Sequence, residues 1–245
     1  MHADIKIKNL SFAYDKTRKV LNNLNLEVKA GEKIGIIGPM GAGKSTLLLH
    51  LNGLLMGQGT IEIGGVAVTK NTLSEIRRKV GIVFQNPDDQ LFSSSVEEDI
   101  AFGPLHFGYD AKTISEMVTL AIEKLNLKGY EKRVPHQLSL GEKKRVALAT
   151  VLATKPHILA FDEPFANLDS SMVKQLVNTL KQLPSTVVVV SQSLLPLAVF
   201  CDRIAILNQG HITNIGTAKD ILSDDNLLNK NGLDLSFYKK ICHTL

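Results

Sequence analysis

Cysteine is scarce: Cys201 and Cys242 are the only two in 245 residues. They are too few and too far apart for a metal knuckle or a disulfide framework, and a reducing cytosol is the expected compartment. Long apolar runs are lacking too. The best candidate for a membrane span, Leu47 to Met56, is interrupted by His50, Asn52 and Gly53. There is no basic surplus of the kind that marks a nucleic-acid binder. Net charge is +4, with both signs interspersed. The densest basic cluster, Lys143-Lys144-Arg145, reads equally well as a solvated helix face or a phosphate contact. The opening MHADIKIKNL alternates like a strand and shows no secretory pattern. Internal repeats and low-complexity tracts are also missing. With 44% hydrophobic and 21% charged residues, disorder and fibrous classes drop out. A chain of this length can bury a large core as one α/β unit, or as a core with an inserted subdomain.

What the chain does hold is Gly38-Pro39-Met40-Gly41-Ala42-Gly43-Lys44-Ser45-Thr46, set between the apolar runs Lys33–Ile37 and Leu47–Leu49. This is strand, glycine loop and helix, matching G-x-x-x-x-G-K-[ST] at every fixed position. Gly38, Gly41 and Gly43 allow positive φ and bring successive N–H groups close to an anion. The helix starting near Lys44 adds its unpaired N–H groups and positive dipole end. Lys44 can reach β- and γ-phosphates, and the Ser45 hydroxyl can ligate Mg²⁺. An ordinary glycine-rich turn before a buried helix is the bland alternative. The intact flanks favour a nucleoside triphosphate site.

Short strands are expected at 5–12, 24–28 and 34–37, then a helix over about 44–54 and a Gly-rich hairpin around Gln58–Gly65. A strand over 80–84 runs into Gln85-Asn86-Pro87, where proline ends regular structure. Helical periodicity follows from Ser95, a plausible cap with Glu98 three residues on, to about Ala153, including a helix over 113–125. Strands at 157–161 and 186–190, helices at 170–183 and 194–201, and a closing hairpin (203–207 with 211–215) complete the reading. The expected fold is an α/β phosphate-loop core with a mostly helical insert over about 86–154.

The strand Ile158–Phe161 ends in Asp162-Glu163-Pro164. Paired carboxylates at the end of a buried strand are costly unless a cation or donors meet them. Asp162 suits a Mg²⁺ shell; Glu163 suits a general base or the positioning of an attacking water. An exposed acidic turn is the alternative.

Taken in order, these motifs resemble the ATP-binding-cassette (ABC) ATPases over nearly the whole chain. The resemblance implies an antiparallel β lobe beside the core and a helical subdomain, with ATP and Mg²⁺ as ligands. It places Tyr14 on the adenine and gives Gln85 the sensing of Mg²⁺ and water. Leu138-Ser139-Leu140-Gly141-Glu142 stands at the family's Leu-Ser-Gly-Gly-Gln signature, where Ser139 and the Gly141 N–H reach the γ-phosphate held by a second subunit. Asn167-Leu168-Asp169 matches the loop linking the paired sites. Three positions depart from the pattern. Leu140 and Glu142 replace glycine and glutamine, leaving both contacting residues intact. Gln192, in Val190-Ser191-Gln192-Ser193, stands where the family has a γ-phosphate histidine; its amide can donate a hydrogen bond but carries no imidazolium charge.

The segment Val83–Tyr109 is similar to the energy-coupling-factor (ECF) importers of vitamins, cobalt or nickel, in which this region forms a groove for a coupling helix of the membrane subunit. The implied function is an ATP-hydrolysing subunit on the cytoplasmic face of the membrane. It would be paired with a second ATPase, identical or not, and with membrane-embedded subunits, and would have no nucleic-acid partner. The ATPase domain is expected over 1–225, and 226–245 form a short C-terminal extension that packs on its own domain or on a partner. A weakly active regulatory cassette and a non-transport ABC protein are the alternatives.

Overall fold

The computed structural model describes residues 3–15 and 18–233. Two sheets organise it. The smaller is antiparallel, in the order β2 (Leu21–Lys29), β1 (Ala3–Phe12), β4 (Gln58–Ile63), β5 (Val66–Ala67). It is the expected β lobe, and its Gly64-Gly65 turn is the hairpin signal read above: both glycines take positive φ. The larger sheet runs β10 (His211–Thr217), β9 (Arg203–Asn208), β3 (Lys33–Ile37), β8 (Thr186–Val190), β7 (Ile158–Asp162), β6 (Val80–Val83). All its neighbours are parallel except the β9–β10 hairpin.

The runs of Val and Ile in the large sheet follow from burial on both faces. Along β7, Leu159 and Phe161 join the core beneath the helices, while Ile158 and Ala160 join the core shared with the β lobe. Along β8, Val187 and Val189 point one way and Val188 and Val190 the other. The β-lobe side also holds α1 (Lys44–Leu51), shorter than the sequence reading. α2 (Leu73–Lys79), which the pattern did not reveal, buries only Ile76.

The insert between β6 and β7 carries α3 (Val96–His106), α4 (Ala111–Lys124) and α5 (Leu140–Ala153). α4 starts earlier than its periodicity implied because the Asp110 carboxylate caps the N–H groups of Lys112 and Thr113. α6 (Ser170–Gln182) and α7 (Leu194–Phe200) end one residue short of expectation. Two further short helices, α8 (Ala218–Ser223) and α9 (Asp225–Lys230), were not anticipated. Within the proposed extension, Leu228 and Leu233 join the main core and Leu227 packs against it. Leu235, Phe237, Tyr238, Ile241 and Cys242 lie outside the described residues.

Candidate functional site

The phosphate loop leaves β3 between its two parallel neighbours, β8 and β9. Gly38 is required by close approach: a Cβ there would lie 2.0 Å from the Leu207 carbonyl oxygen. Gly43 is required twice over, by φ of 102° and by a Cβ that would sit 2.9 Å from the Val20 oxygen. Gly41 also has positive φ, but its missing side chain faces open space. Pro39 and Met40 form the outer rim of the loop, Met40 almost fully exposed, while Ala42 is buried beneath it.

Lys44 folds back into this loop, and its Nζ donates to the Gly38 and Pro39 carbonyls at 2.7 and 3.0 Å. Burial lowers its pKa, opposed by the charges of Glu163 and Asp162. Ser45, on the exposed side of α1, hydrogen-bonds Asp162. Thr46 Oγ1 lies 3.1 Å from the Tyr14 hydroxyl, which ties the ring to the loop while most of it stays exposed. Phe12 packs edge-on against both Tyr14 and the buried His50.

The two acids leave β7 in different ways. Burial raises the Asp162 pKa, against the opposing effects of Ser45 and Lys44. Glu163 is buried and takes φ of 44°, a left-handed conformation costing on the order of 1–2 kcal/mol for a residue with a side chain. Its N–H donates to the Val190 carbonyl at 2.9 Å. Its Oε2 accepts from Ser191 Oγ at 3.2 Å and from the Gln192 N–H at 3.0 Å. Gln192 thus reaches Glu163 through its backbone, and its side chain is exposed.

Asp162 Oδ1 and Glu163 Oε1 are buried and have no hydrogen-bond partner among the described residues. Of the two carboxylates, Asp162 stands beside the Ser45 hydroxyl, and that pair fits a hard divalent cation. No cluster of three or more His, Cys, Asp or Glu that could hold a metal occurs among the described residues. A cation here would therefore take its remaining ligands from phosphate oxygens and water, as Mg²⁺ does.

Gln85 is exposed immediately beyond β6. Ser139 and Gly141 belong to a second group at the start of α5. Ser139 caps the helix through Glu142, whose carboxylate accepts from the Ser139 N–H and Oγ, both at 2.7 Å. Glu142 also accepts from the Tyr130 hydroxyl at 2.7 Å, and these bonds hold its pKa down to about 2. Gly141 lies against Met172; an added Cβ would meet its Sδ at 2.4 Å. Asp169 is exposed and caps α6 by accepting from the Met172 N–H at 2.8 Å. Gly141 and Asp169 share the walls of a cleft of about 580 Å³ between α5 and α6.

The three side chains of the basic cluster have partners within the fold. Lys143 bonds Asp88 at 2.7 Å. Lys144 turns inward and donates to the Pro164 and Ala166 carbonyls at 3.1 and 2.5 Å. Arg145 donates to the Asn126 carbonyl at 3.2 Å and lies over the Tyr130 ring. Arg18 and Lys19, which the motifs did not single out, line a cavity of about 400 Å³ with Gly41 and Gly210. Their adjacent charges soon after Tyr14 were the available signal.

Residues 21–166 match the family described as ABC transporter. The Methanothermobacter thermautotrophicus energy-coupling factor transporter ATP-binding protein EcfA is 44% identical over 237 residues, covering 94% of this chain and 76% of the relative. A putative ABC transporter ATP-binding protein of Streptomyces avermitilis is 42% identical over 234 residues, covering 95% of this chain and 89% of the relative. Among solved structures, cbiO1 from Clostridium perfringens, part of the ABC transporter complex cbiONQ, superposes with a TM-score of 0.84 at 30% identity, covering 99% of this chain and all of that one. A post-hydrolysis dimer of the ATP-binding cassette MJ0796 bound to ADP and Pi superposes at 0.79 with 28% identity, covering 87% of this chain and 98% of that one. The phosphate loop, the paired acids and the helical insert are thus those of a known architecture, and the chain belongs to the ABC transporter ATP-binding proteins, as an ATPase.

Proposed function

We propose that this chain is the ATP-binding and ATP-hydrolysing subunit of an ECF-type importer, energising uptake of a transition metal ion (cobalt or nickel) or a vitamin. The relatives that carry the energy-coupling-factor name support this reading. The observation that carries it is an exposed apolar patch within the segment that resembles those importers. Phe92, Phe102, Leu105 and Tyr109 are 63, 48, 64 and 39% exposed, and Phe92 and Phe102 meet edge to face at 4.8 Å. Large apolar side chains clustered on a surface mark a partner site, here a coupling helix of a membrane-embedded subunit. No helix among the described residues is long and apolar enough to cross a membrane. In the proposed reading the ATPase sits on the cytoplasmic face of the membrane and the cargo is recognised in another subunit.

In this reading Tyr14 stacks on the adenine, and the loop from Gly38 to Thr46 wraps the phosphates. Ser45, Gln85 and Asp162 would hold Mg²⁺, which would supply positive charge against the phosphate oxygens. Lys44 meets the β- and γ-phosphates. Glu163, held in place by Ser191 and the Gln192 N–H, accepts a proton from the attacking water, and Gln85 helps orient that water. Ser139 and Gly141 of a second cassette complete the donors around the γ-phosphate, and Asp169 lies on the loop joining the two sites.

Replacement of Lys44 by alanine is expected to abolish ATP binding in calorimetry. Glu163→Gln is expected to keep binding and to accumulate an ATP-bound dimer in light scattering. A Glu163→Gln protein that stays monomeric at saturating ATP would remove Glu163 from the catalytic role.

A further inference from the structure

Two polar side chains that the motifs leave without a task tie loops of the ATPase core to helix α5: Gln90, in the loop after β6, and Lys144, on the helix itself. Gln90 accepts from the Phe84 N–H at 3.2 Å, just beyond β6, and donates to the Ala147 carbonyl at 2.7 Å and to Thr150 Oγ1 at 2.8 Å. Lys144 projects from α5 itself. Its ammonium donates to the carbonyls of Pro164 and Ala166, in the turn between Glu163 and Asp169. α5 meets α6 where Gly141 lies against Met172, and a cleft opens beside that contact, with Gly141, Lys144, Pro164, Leu168 and Asp169 on its walls. Lys144 spans it at one end. Two charge-assisted bonds to adjacent segments of one loop fix that loop's position relative to α5. The same loop begins at Glu163, whose backbone is already held in a left-handed conformation.

We infer that Lys144 is a positioning residue that couples the two half-sites of one subunit. It transmits the seating of Ser139 and Gly141 on a partner's nucleotide to the alignment of this subunit's own Glu163. The inference rests on the proposed two-subunit ATPase reading. A rigid α5 gives the reason for the arrangement. Ser139 is the helix N-cap and Lys144 lies little more than a turn along, so movement of the cap moves the ammonium with it. The ammonium pulls on the Pro164 and Ala166 carbonyls, and those residues follow closely on Glu163, which is assigned to the attacking water. Gln90 ties the segment that holds Gln85 to the same helix, so both water-positioning residues follow α5.

The test compares wild type with Lys144→Met, which keeps the aliphatic stem without the donors, and Lys144→Arg, which restores donors. For wild type, steady-state ATP hydrolysis with sigmoidal dependence on ATP is expected. Its absence would count against the two-subunit ATPase reading itself, independently of Lys144. For Lys144→Met, a fall in kcat of about ten-fold or more is expected, with ATP affinity by calorimetry unchanged. ATP-driven dimerisation of the Lys144→Met/Glu163→Gln protein should persist in light scattering. Lys144→Arg should recover part of kcat. A wild-type kcat in Lys144→Met overturns the inference. So does loss of dimerisation in parallel with kcat, which would make the lysine a strut for the fold. If Lys144→Met does not fold, Lys144→Arg decides: full stability with kcat lowered and dimerisation intact supports coupling through the donors, and full stability with both unchanged, or with loss of dimerisation, overturns it.

Discussion

Glu163 is held from three directions: through its own N–H to Val190, and through Oε2 by the Ser191 hydroxyl and the Gln192 N–H. Oε1 is buried with no partner among the described residues, and in the proposed mechanism it is the oxygen that accepts a proton from water. A backbone donor at residue 192 places no demand on the side chain there, which explains how glutamine can stand where the family has histidine without disturbing the base. The exposed amide is still the group nearest in sequence to the expected γ-phosphate contact. A neutral donor in place of a charge-assisted one weakens transition-state stabilisation by on the order of 1 kcal/mol. Gln192→His is therefore expected to raise steady-state turnover several-fold. Equal or lower rates, alone and with a partner ATPase, would remove the side chain of residue 192 from the γ-phosphate.

At the level of elements, helix starts were the least legible part of the sequence. Ser95 does cap α3 by accepting from the Glu98 N–H at 3.3 Å, but the Glu98 carboxylate turns to Ser94 Oγ instead of completing the reciprocal pair. The complete capping box belongs to Ser139 and Glu142, inside the signature that was read only for phosphate contact. One serine thus serves both as helix cap and as candidate γ-phosphate donor, a double use that spacing alone does not reveal. The Glu142 carboxylate is held near pKa 2, first by the Tyr130 hydroxyl and then by Ser139, below its ordinary 4.5. A lowered carboxylate pKa stabilises the fold above the unfolded value, and that gain is lost as pH falls through the folded one. Because Glu142 lies near the surface, screening keeps the gain modest. Glu142→Gln can keep the cap, so wild type is expected to melt slightly higher than the variant above pH 4.5. The difference should shrink steadily toward pH 2, as followed by circular dichroism. A gap that is constant with pH would mean the carboxylate's charge contributes nothing.

Over the whole molecule, the α/β core, the β lobe and the helical insert were all readable, because doubly buried strands write themselves as unbroken apolar runs and the insert as helical periodicity. α2, α8 and α9 were not, since six- and seven-residue helices with one to three buried side chains leave too few repeats to establish a period. The inward turn of Lys144 was equally hidden: its partners are backbone carbonyls, which no side-chain pattern records. Assembly can be tested at the apolar patch. Asp88 is a poor probe because it already pairs with Lys143, and His136 lies 3.6 Å away. Leu105 is 64% exposed and far better suited. Leu105→Asp is expected to cut co-purification with the membrane-embedded subunits at least several-fold, since a charge in an apolar contact must be desolvated. ATP affinity should not change. Full recovery of the complex would assign the patch to ordinary surface.

The order of strands also sets a timetable. β3, which ends in the phosphate loop, is complete by residue 37, yet its hydrogen-bonded neighbours are β8, at 186–190, and β9, at 203–208. A ribosome that has released the first 180 residues has delivered the whole glycine loop and both acids. It has not delivered either strand that flanks the loop, nor the Val190 carbonyl that fixes Glu163. Long-range parallel pairing of this kind is intrinsically late. The nascent chain therefore carries its nucleotide motif over about 150 residues before the strands that flank the loop in the folded sheet are available to pair with β3.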